Sequence, residues 1–178
     1  MKLVLIGLRG TGKSTVGRVL SDRLGWPFFD SDTLVQERTG KTIREIFEQG
    51  GEALFRKHES EIVREISVSG QAVIATGGGA VLDPMNVTAL RQNAFVVHLT
   101  ANPAELWRRI CRDSASRDQR PRLAQDTGSG VDELKQLMLS RAAIYAQVRD
   151  AEVSVEDRSP DEAAEAVMIL MRAHGVKT

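Results

Sequence analysis

The sequence has little of several features that mark specialised classes of protein. Its 178 residues include one cysteine, Cys111, which excludes an intramolecular disulfide and leaves too few thiols for a zinc finger or an iron–sulfur site. The three histidines have no spacing typical of metal ligands. The 24 basic and 24 acidic residues cancel to a formal net charge of zero, which argues against a general binder of nucleic acid or of membrane surfaces.

The N-terminus also lacks a long hydrophobic run. Only the four apolar residues from Leu3 to Ile6 precede Gly7, and this run is too short for a signal peptide or for a membrane span of about 20 residues. A chain of 178 residues, 42% hydrophobic and 27% charged, has the size and composition of one soluble globular domain. We therefore expect a cytoplasmic protein with a single domain over residues 1–178, and a monomer, because nothing in the sequence requires a dimer.

Short apolar runs alternate with helical patterns along the chain. This alternation is typical of an α/β protein in which βαβ units build a parallel sheet. The predicted strands are Leu3–Ile6, Pro27–Phe29, Ala72–Ala75, Phe95–Leu99 and Val153–Val155.

Two of the predicted helices have recognisable ends. Apolar residues recur at helical spacing from Lys13 onward, and Gly25 ends this predicted helix. Thr42 and Glu45 form a capping-box pattern, and Gly50–Gly51 closes the short helix that follows.

A long polar stretch lies between Asp113 and Gly130. It has little apolar content, and its flank from Arg108 to Arg122 is rich in arginine. Loops of this length without secondary structure are uncommon and are often functional lids. We predict a basic lid over an anionic ligand.

The segment from Gly7 to Ser14, GLRGTGKS, matches the phosphate-loop pattern G-x-x-x-x-G-K-[ST]. It lies between a strand pattern and a helix pattern, where its backbone N–H groups and the helix N-terminus can bind a phosphate. Lys13 would reach the β- and γ-phosphates, and the Ser14 hydroxyl would hold Mg²⁺. The pattern predicts nucleotide binding but does not identify what receives the phosphoryl group.

Two carboxylates follow the second predicted strand, Asp30 and Asp32. The carboxyl ends of parallel strands meet at one crevice, so both would face the phosphate loop. One could orient Mg²⁺ through water while the other accepts a proton from an attacking hydroxyl. Alternatively, Asp32 is the N-cap of the next helix, a role that does not exclude the first.

An arginine and a glutamate stand three positions apart on a predicted helix, Arg56 and Glu59. The spacing allows Glu59 to hold the guanidinium as a receptor for a carboxylate or phosphate. A solvated surface pair is the alternative, and it is the commoner case for such a pair.

Three further features are candidates for the acceptor site. The glycines Gly77–Gly79 follow the third predicted strand and form either a ligand-binding loop or a flexible turn. Arg120 in the predicted lid would act as an arginine finger, or is simply solvated. Arg141 lies on a late predicted helix and adds another cation.

Together these motifs resemble those of the shikimate kinase family. The resemblance covers nearly the whole chain and rests on GLRGTGKST, FFDSD, FRKHE, TGGG, SRAAIY and the Arg-Pro pair of the predicted lid. It implies a P-loop kinase fold with a five-stranded parallel sheet flanked by helices, a mobile lid at about residues 113–130 and a shikimate-binding helical segment at about residues 31–67. It also implies ATP- and Mg²⁺-dependent phosphorylation of the 3-hydroxyl of shikimate to shikimate 3-phosphate, in aromatic amino-acid biosynthesis.

The resemblance further implies roles for individual residues. The catalytic residues would be Lys13, Asp32 and Arg120, with Arg117 and Arg122 as alternatives for the lid arginine. The nucleotide would contact Gly10, Thr11, Gly12, Lys13, Ser14, Thr15, Val16, Gly17, Arg112, Arg120 and Arg158, and the metal would lie near Ser14 and Asp30. Shikimate would contact Asp32, Arg56, Gly78, Gly79 and Arg141.

Overall fold

The computed structural model describes residues 1–113 and 130–176. These residues form a five-stranded sheet with the strand order β2-β3-β1-β4-β5, and every pairing in it is parallel. The strands are β1 (Lys2–Ile6), β2 (Phe28–Asp30), β3 (Ala72–Ala75), β4 (Ala94–Thr100) and β5 (Ala151–Ser154). The predicted parallel sheet is therefore confirmed, with strand ends that shift by one or two residues.

Helices flank this sheet, as predicted. They are α1 (Lys13–Leu24), α2 (Ser31–Thr39), α3 (Ile43–Ser67), α4 (Pro84–Arg91), α5 (Pro103–Arg112), α6 (Gly130–Val148) and α7 (Pro160–Ala173), with a 3-10 turn at Ala80–Leu82. Apart from its end residues Asp113 and Gly130, the predicted lid lies outside the described residues.

The predicted helix ends are confirmed. Helix α1 stops at Gly25, whose φ of +66° is in the left-handed region. The capping box at Thr42 and Glu45 is present, and α3 is interrupted at Gly50–Gly51, where the backbone leaves helical geometry. The second half of α3 buries the face that carries Phe55 and Ile62.

The central strands β1 and β3 are buried along their whole length. Strands of a parallel sheet covered on both faces read as continuous apolar runs, which explains why sequence patterns located them. The register sets Asp30 at the end of β2 beside Ala75 of β3, and Ala75 beside Leu5 of β1. The loops that follow these three strands therefore leave the same edge of the sheet as neighbours.

Candidate active site

The loop between β1 and α1 has the form expected of a phosphate loop. Gly12 is the N-cap of α1 with a φ of +78°, which glycine adopts without strain. Lys13 extends back over the loop, and its Nζ donates to the carbonyls of Gly7 and Leu8, both at 2.9 Å. The loop thus places a lysine ammonium beside the helix N-terminus, an arrangement suited to binding phosphate.

A cavity of about 430 Å³ opens in front of this loop. The predicted residues that line it are Gly10–Val16, Asp30, Asp32 and Arg158. The structure therefore brings the phosphate loop and both predicted carboxylates into one space.

Two predicted nucleotide contacts do not line this cavity, and a third lies outside the described residues. Gly17 is buried, and a Cβ there would overlap the Phe28 ring, so Gly17 allows α1 to pack on β2. Arg112 is exposed, and α5 instead contributes Arg109 to the cavity lining, where it donates to the Val155 carbonyl at 2.8 Å. Arg120 lies outside the described residues.

Asp30, and not Asp32, caps helix α2. Asp30 has an extended backbone, and its Oδ1 accepts from the backbone N–H groups of Asp32 at 3.0 Å and Thr33 at 3.2 Å. Its Oδ2 accepts from the Ser14 hydroxyl. The alternative that Asp32 is the N-cap is therefore wrong, because β2 extends to Asp30 and the helix starts at Ser31.

The loop after β3 leaves no room for side chains where it meets two carboxylates. A Cβ on Gly77 would overlap Glu59 Oε1 and would lie 2.7 Å from Asp32 Oδ1. The Gly77 N–H donates to the Ser31 hydroxyl at 2.8 Å, which ties this loop to the start of α2. Asp32 is 7% exposed and Glu59 is 0% exposed, so Gly77 lies between two buried carboxylates.

The next two glycines approach the predicted arginines. A Cβ on Gly79 would overlap the Arg56 guanidinium. The Gly78 carbonyl accepts from Arg141 Nη1 at 3.0 Å and from the Tyr145 hydroxyl at 2.7 Å. Burial raises the pKa of Tyr145, which keeps the hydroxyl a donor. The glycine loop thus holds Arg56 and Arg141 close to each other.

Arg56 is held by carboxylates on both sides. Its Nη1 lies 2.5 Å from Glu59 Oε2, and its Nε and Nη2 lie 3.1 Å and 2.9 Å from Glu52 Oε1. Burial acts to lower the pKa of Arg56, but Glu59 and Glu52 outweigh it and raise that pKa above its ordinary value. Because Glu59 is fully buried, the alternative of a solvated surface pair is wrong.

The buried Glu59 makes stability depend on pH. Burial raises the pKa of Glu59 from 4.5 to about 7, although Arg56 acts to lower it. A carboxyl whose pKa is raised by folding destabilises the folded state increasingly as pH rises from the unfolded to the folded pKa. Between pH 4.5 and 7, the stability advantage of the wild type over Glu59→Gln should fall by on the order of 1–3 kcal/mol. Urea denaturation of both proteins at a series of pH values measures this change in the stability difference.

The matched control is Glu48→Gln, at an exposed position on the same helix. The difference in the free energy of unfolding between Glu48→Gln and the wild type should stay constant over that pH range. If the difference in the free energy of unfolding between Glu59→Gln and the wild type did not change with pH, this would contradict the raised pKa of Glu59.

Comparison with known proteins identifies the family. The family model for shikimate kinase matches residues 9–172. The chain belongs to the shikimate kinase family. The shikimate kinase of Paracidovorax citrulli is 42% identical over 158 residues, covering 88% of this chain and 83% of that protein. The shikimate kinase of Symbiobacterium thermophilum is 39% identical over 175 residues, covering 98% of each.

A solved shikimate kinase has the same fold. The structure of the enzyme from Acinetobacter baumannii in complex with shikimate aligns with a TM-score of 0.90 and 32% identity, covering 99% of this chain and 95% of that one. The predicted P-loop kinase fold is therefore confirmed. Within residues 1–113 and 130–176, none of the helices combines the length and the apolar character that a membrane crossing needs.

Sequence analysis did not single out three residues of this shikimate kinase site. Tyr145 bonds the glycine loop, and Arg9 and Arg109 line the cavity. Tyr145 lies four positions after Arg141, which is the spacing of one helical face and was the available signal. Arg9 and Arg109 had no comparable signal, because Arg9 stands at a variable position of the phosphate-loop pattern and Arg109 is one of three arginines in α5.

Proposed function

We propose that this member of the shikimate kinase family transfers the γ-phosphoryl group of ATP to the 3-hydroxyl of shikimate. The products are ADP and shikimate 3-phosphate, an intermediate of aromatic amino-acid biosynthesis. One observation carries the proposal: the phosphate loop, Asp32, Arg56 and Arg141 all meet around the glycine loop Gly77–Gly79. The reaction needs a phosphate cradle, a carboxylate facing the hydroxyl and a cationic clamp for an acid, and this convergence supplies all three.

Arg56 and Arg141 would bind the shikimate carboxylate. Both guanidinium groups border the same glycine loop, and each is already oriented by hydrogen bonds, Arg56 by Glu59 and Arg141 by the Gly78 carbonyl. A pre-oriented guanidinium suits a planar carboxylate because it can donate two parallel hydrogen bonds. Helices α2 and α3, within the predicted segment at about residues 31–67, would form the wall of this subsite.

Asp32 would accept the proton of the 3-hydroxyl. As that oxygen forms its bond to the γ-phosphorus, the bond from the γ-phosphorus to the β,γ-bridging oxygen breaks, and ADP leaves. Lys13 would neutralise charge on the β- and γ-phosphates. The burial of Asp32 beside the phosphate loop supports this role, because the carboxylate faces the cavity that Lys13 also lines.

We also propose that Ser14 and Asp30 hold Mg²⁺. The Ser14 hydroxyl and the Asp30 carboxylate are in contact and line the cavity, and hard oxygen ligands suit this ion. Ser14 would coordinate directly and Asp30 through water. The bound ion would neutralise phosphate charge.

The remaining roles stay predictions. Arg120 would contact the transferred phosphoryl group from the lid. Arg158 would border the adenine, which is supported by its place in the cavity lining and its hydrogen bond to the Ser154 carbonyl at 2.9 Å. Arg109 lines the cavity and Arg112 does not, so Arg109 would make the nucleotide contact that we expected of Arg112. The enzyme would act as a monomer.

The direct test is ADP formation by the purified chain with ATP and Mg²⁺. Shikimate, gluconate and a nucleoside monophosphate are offered in separate reactions. We expect turnover with shikimate only, and mass spectrometry should detect a product heavier by one phosphoryl group. Turnover with gluconate or the monophosphate, and none with shikimate, would overturn the proposal, and ATP binding without turnover would indicate a binding module.

Replacing an arginine of the clamp should weaken shikimate binding in particular. We expect Arg141→Met to raise the KM for shikimate roughly 10- to 150-fold, the usual cost of losing a charge-assisted hydrogen bond. The KM for ATP should stay close to that of the wild type. Initial-rate kinetics with each substrate varied in turn measures both constants.

The matched control is Arg172→Met, at an exposed position on α7. Both of its KM values should equal those of the wild type. A rise in the KM for ATP without a rise for shikimate in Arg141→Met would refute the clamp.

A further inference from the structure

Arg9 lies where the phosphate loop meets the glycine loop, and the mechanism above gives it no role. It is half-buried and lines the same cavity as Lys13 and Asp32. A Cβ on Gly78 would lie 3.6 Å from the Arg9 backbone nitrogen and 3.4 Å from the Gly7 carbonyl oxygen. The Arg9 backbone therefore passes close to the glycine loop that would hold shikimate.

The backbone around Arg9 is fixed on the side of helix α5. A Cβ on the adjacent Gly10 would lie 2.9 Å from the Leu106 carbonyl oxygen and 3.2 Å from the Ile110 side chain. The Thr11 hydroxyl also donates to the Leu8 carbonyl at 2.9 Å, which closes the loop on itself. Arg9 Nε is shielded from solvent. The backbone that carries Arg9 is therefore fixed, and its Nε is desolvated, in surroundings where electrostatic interactions are stronger than in water.

The neighbouring cations Arg56, Arg141 and Lys13 already have roles in the proposed function. Arg56 lies between Glu52 and Glu59, and with Arg141 it would bind the shikimate carboxylate. Lys13 serves the β- and γ-phosphates. During transfer, negative charge spreads over the three equatorial oxygens of the phosphoryl group, and a guanidinium can donate to two of them at once.

We propose that Arg9 is a catalytic residue whose guanidinium binds the phosphoryl group during its transfer from ATP to shikimate. The residue would act from the phosphate loop, in addition to any arginine of the lid. This inference rests on the proposed function, because it requires an anionic group moving between the phosphate loop and the glycine loop.

The test compares Arg9→Met, which removes the charge at similar length, with Arg9→Lys, which keeps it. We expect Arg9→Met to lower kcat roughly 10- to 100-fold, the range for a hydrogen bond to a charged group. Both KM values should stay within about threefold of the wild type, because the contact forms mainly in the transition state. Arg9→Lys should recover part of kcat, since a point charge replaces the bidentate fork.

A binding measurement separates catalysis from loop structure. Calorimetry with ADP, Mg²⁺, fluoroaluminate and shikimate should show a large loss of affinity in Arg9→Met for this mimic of the transferred group. Affinity for ADP and Mg²⁺ alone should be unchanged. Arg18→Met, at an exposed position on α1 outside the cavity, should match the wild type in both measurements.

Two results would overturn the role of Arg9. One is a wild-type kcat in Arg9→Met. The other is an equal loss in Arg9→Met and Arg9→Lys together with weaker ADP binding, which would make Arg9 a structural part of the loop. If Arg9→Met fails to fold by circular dichroism, the Arg9→Lys and Arg9→Gln variants carry the same comparison. A wild-type chain inactive with shikimate would instead refute the proposed function itself.

Discussion

Asp32→Asn is expected to lower kcat roughly 10²- to 10⁴-fold, the range for losing a general base. The amide keeps the size of the side chain but cannot accept the proton of the 3-hydroxyl. The substitution should not disturb the N-terminus of α2, because Asp30 is the residue that caps this helix. The variant should therefore fold with the stability of the wild type, and the loss should fall on the chemical step.

Steady-state kinetics, with a thermal denaturation of each variant, measures this expectation. Asp22→Asn is the control, since Asp22 is exposed on α1, and it should leave kcat unchanged. An Asp32→Asn variant with the kcat of the wild type would leave the carboxylate without a catalytic role. Asp30→Asn should behave differently from both, because its amide nitrogen cannot accept from the Ser14 hydroxyl as Asp30 Oδ2 does.

Gly77→Ala should be nearly as damaging, with an expected fall in kcat of about 10²-fold, the cost typical of a misplacement of about 1 Å at a reacting group. The added methyl group would overlap Glu59 Oε1 and press on Asp32 Oδ1. Both atoms are ends of side chains, so the carboxylates can move while the backbone stays in place. The Asp32 carboxylate would then be displaced from the position where it would accept the proton of the 3-hydroxyl. Arg56 would also lose its alignment with Glu59.

Gly70→Ala is the matched control for this variant. A Cβ on Gly70 would meet no atom within 4 Å, so the substitution should leave both kcat and the melting temperature close to those of the wild type. Kinetics and thermal denaturation of the two alanine variants give the comparison. A wild-type kcat in Gly77→Ala would show that catalysis does not depend on the placement of the two buried carboxylates.

Both predictions depend on the glycine loop after β3. Its first glycine borders Asp32 and Glu59, its second presents a carbonyl to Arg141 and Tyr145, and its third borders Arg56. The loop has no side chain to offer a ligand. Its contribution is to let residues from α2, α3 and α6 approach one another closely enough to act on one small molecule.

Much of the fold and the phosphate site could be predicted because the signals are local. Residues Gly7–Ser14 are consecutive, and their order alone specifies the loop and its lysine. The strands were found because a parallel sheet covered on both faces needs continuous apolar runs. The capping box of α3 and the break at Gly50–Gly51 depend only on residues within one or two turns.

The choice between neighbouring candidates needed the tertiary structure. Asp30 and Asp32 both precede a helical pattern, and which one caps it depends on where β2 stops pairing with β3. Arg109 and Arg112 are on the same helix, and only the packing of α5 decides which of them reaches the cavity. Such choices depend on contacts between segments distant in the chain, which no local pattern records.

The amino-acid order by itself thus determined the phosphate loop, the parallel sheet and the set of charged residues available for the acceptor. Tertiary packing decided which residues are buried and what they contact. Glu59 is buried against Gly77 and is not solvated. Gly17 packs on Phe28 and does not line the cavity. The physical reason is that burial and orientation arise from long-range contacts, whereas the phosphate loop, the helix caps and the apolar runs of the strands are patterns of residues close together in the sequence.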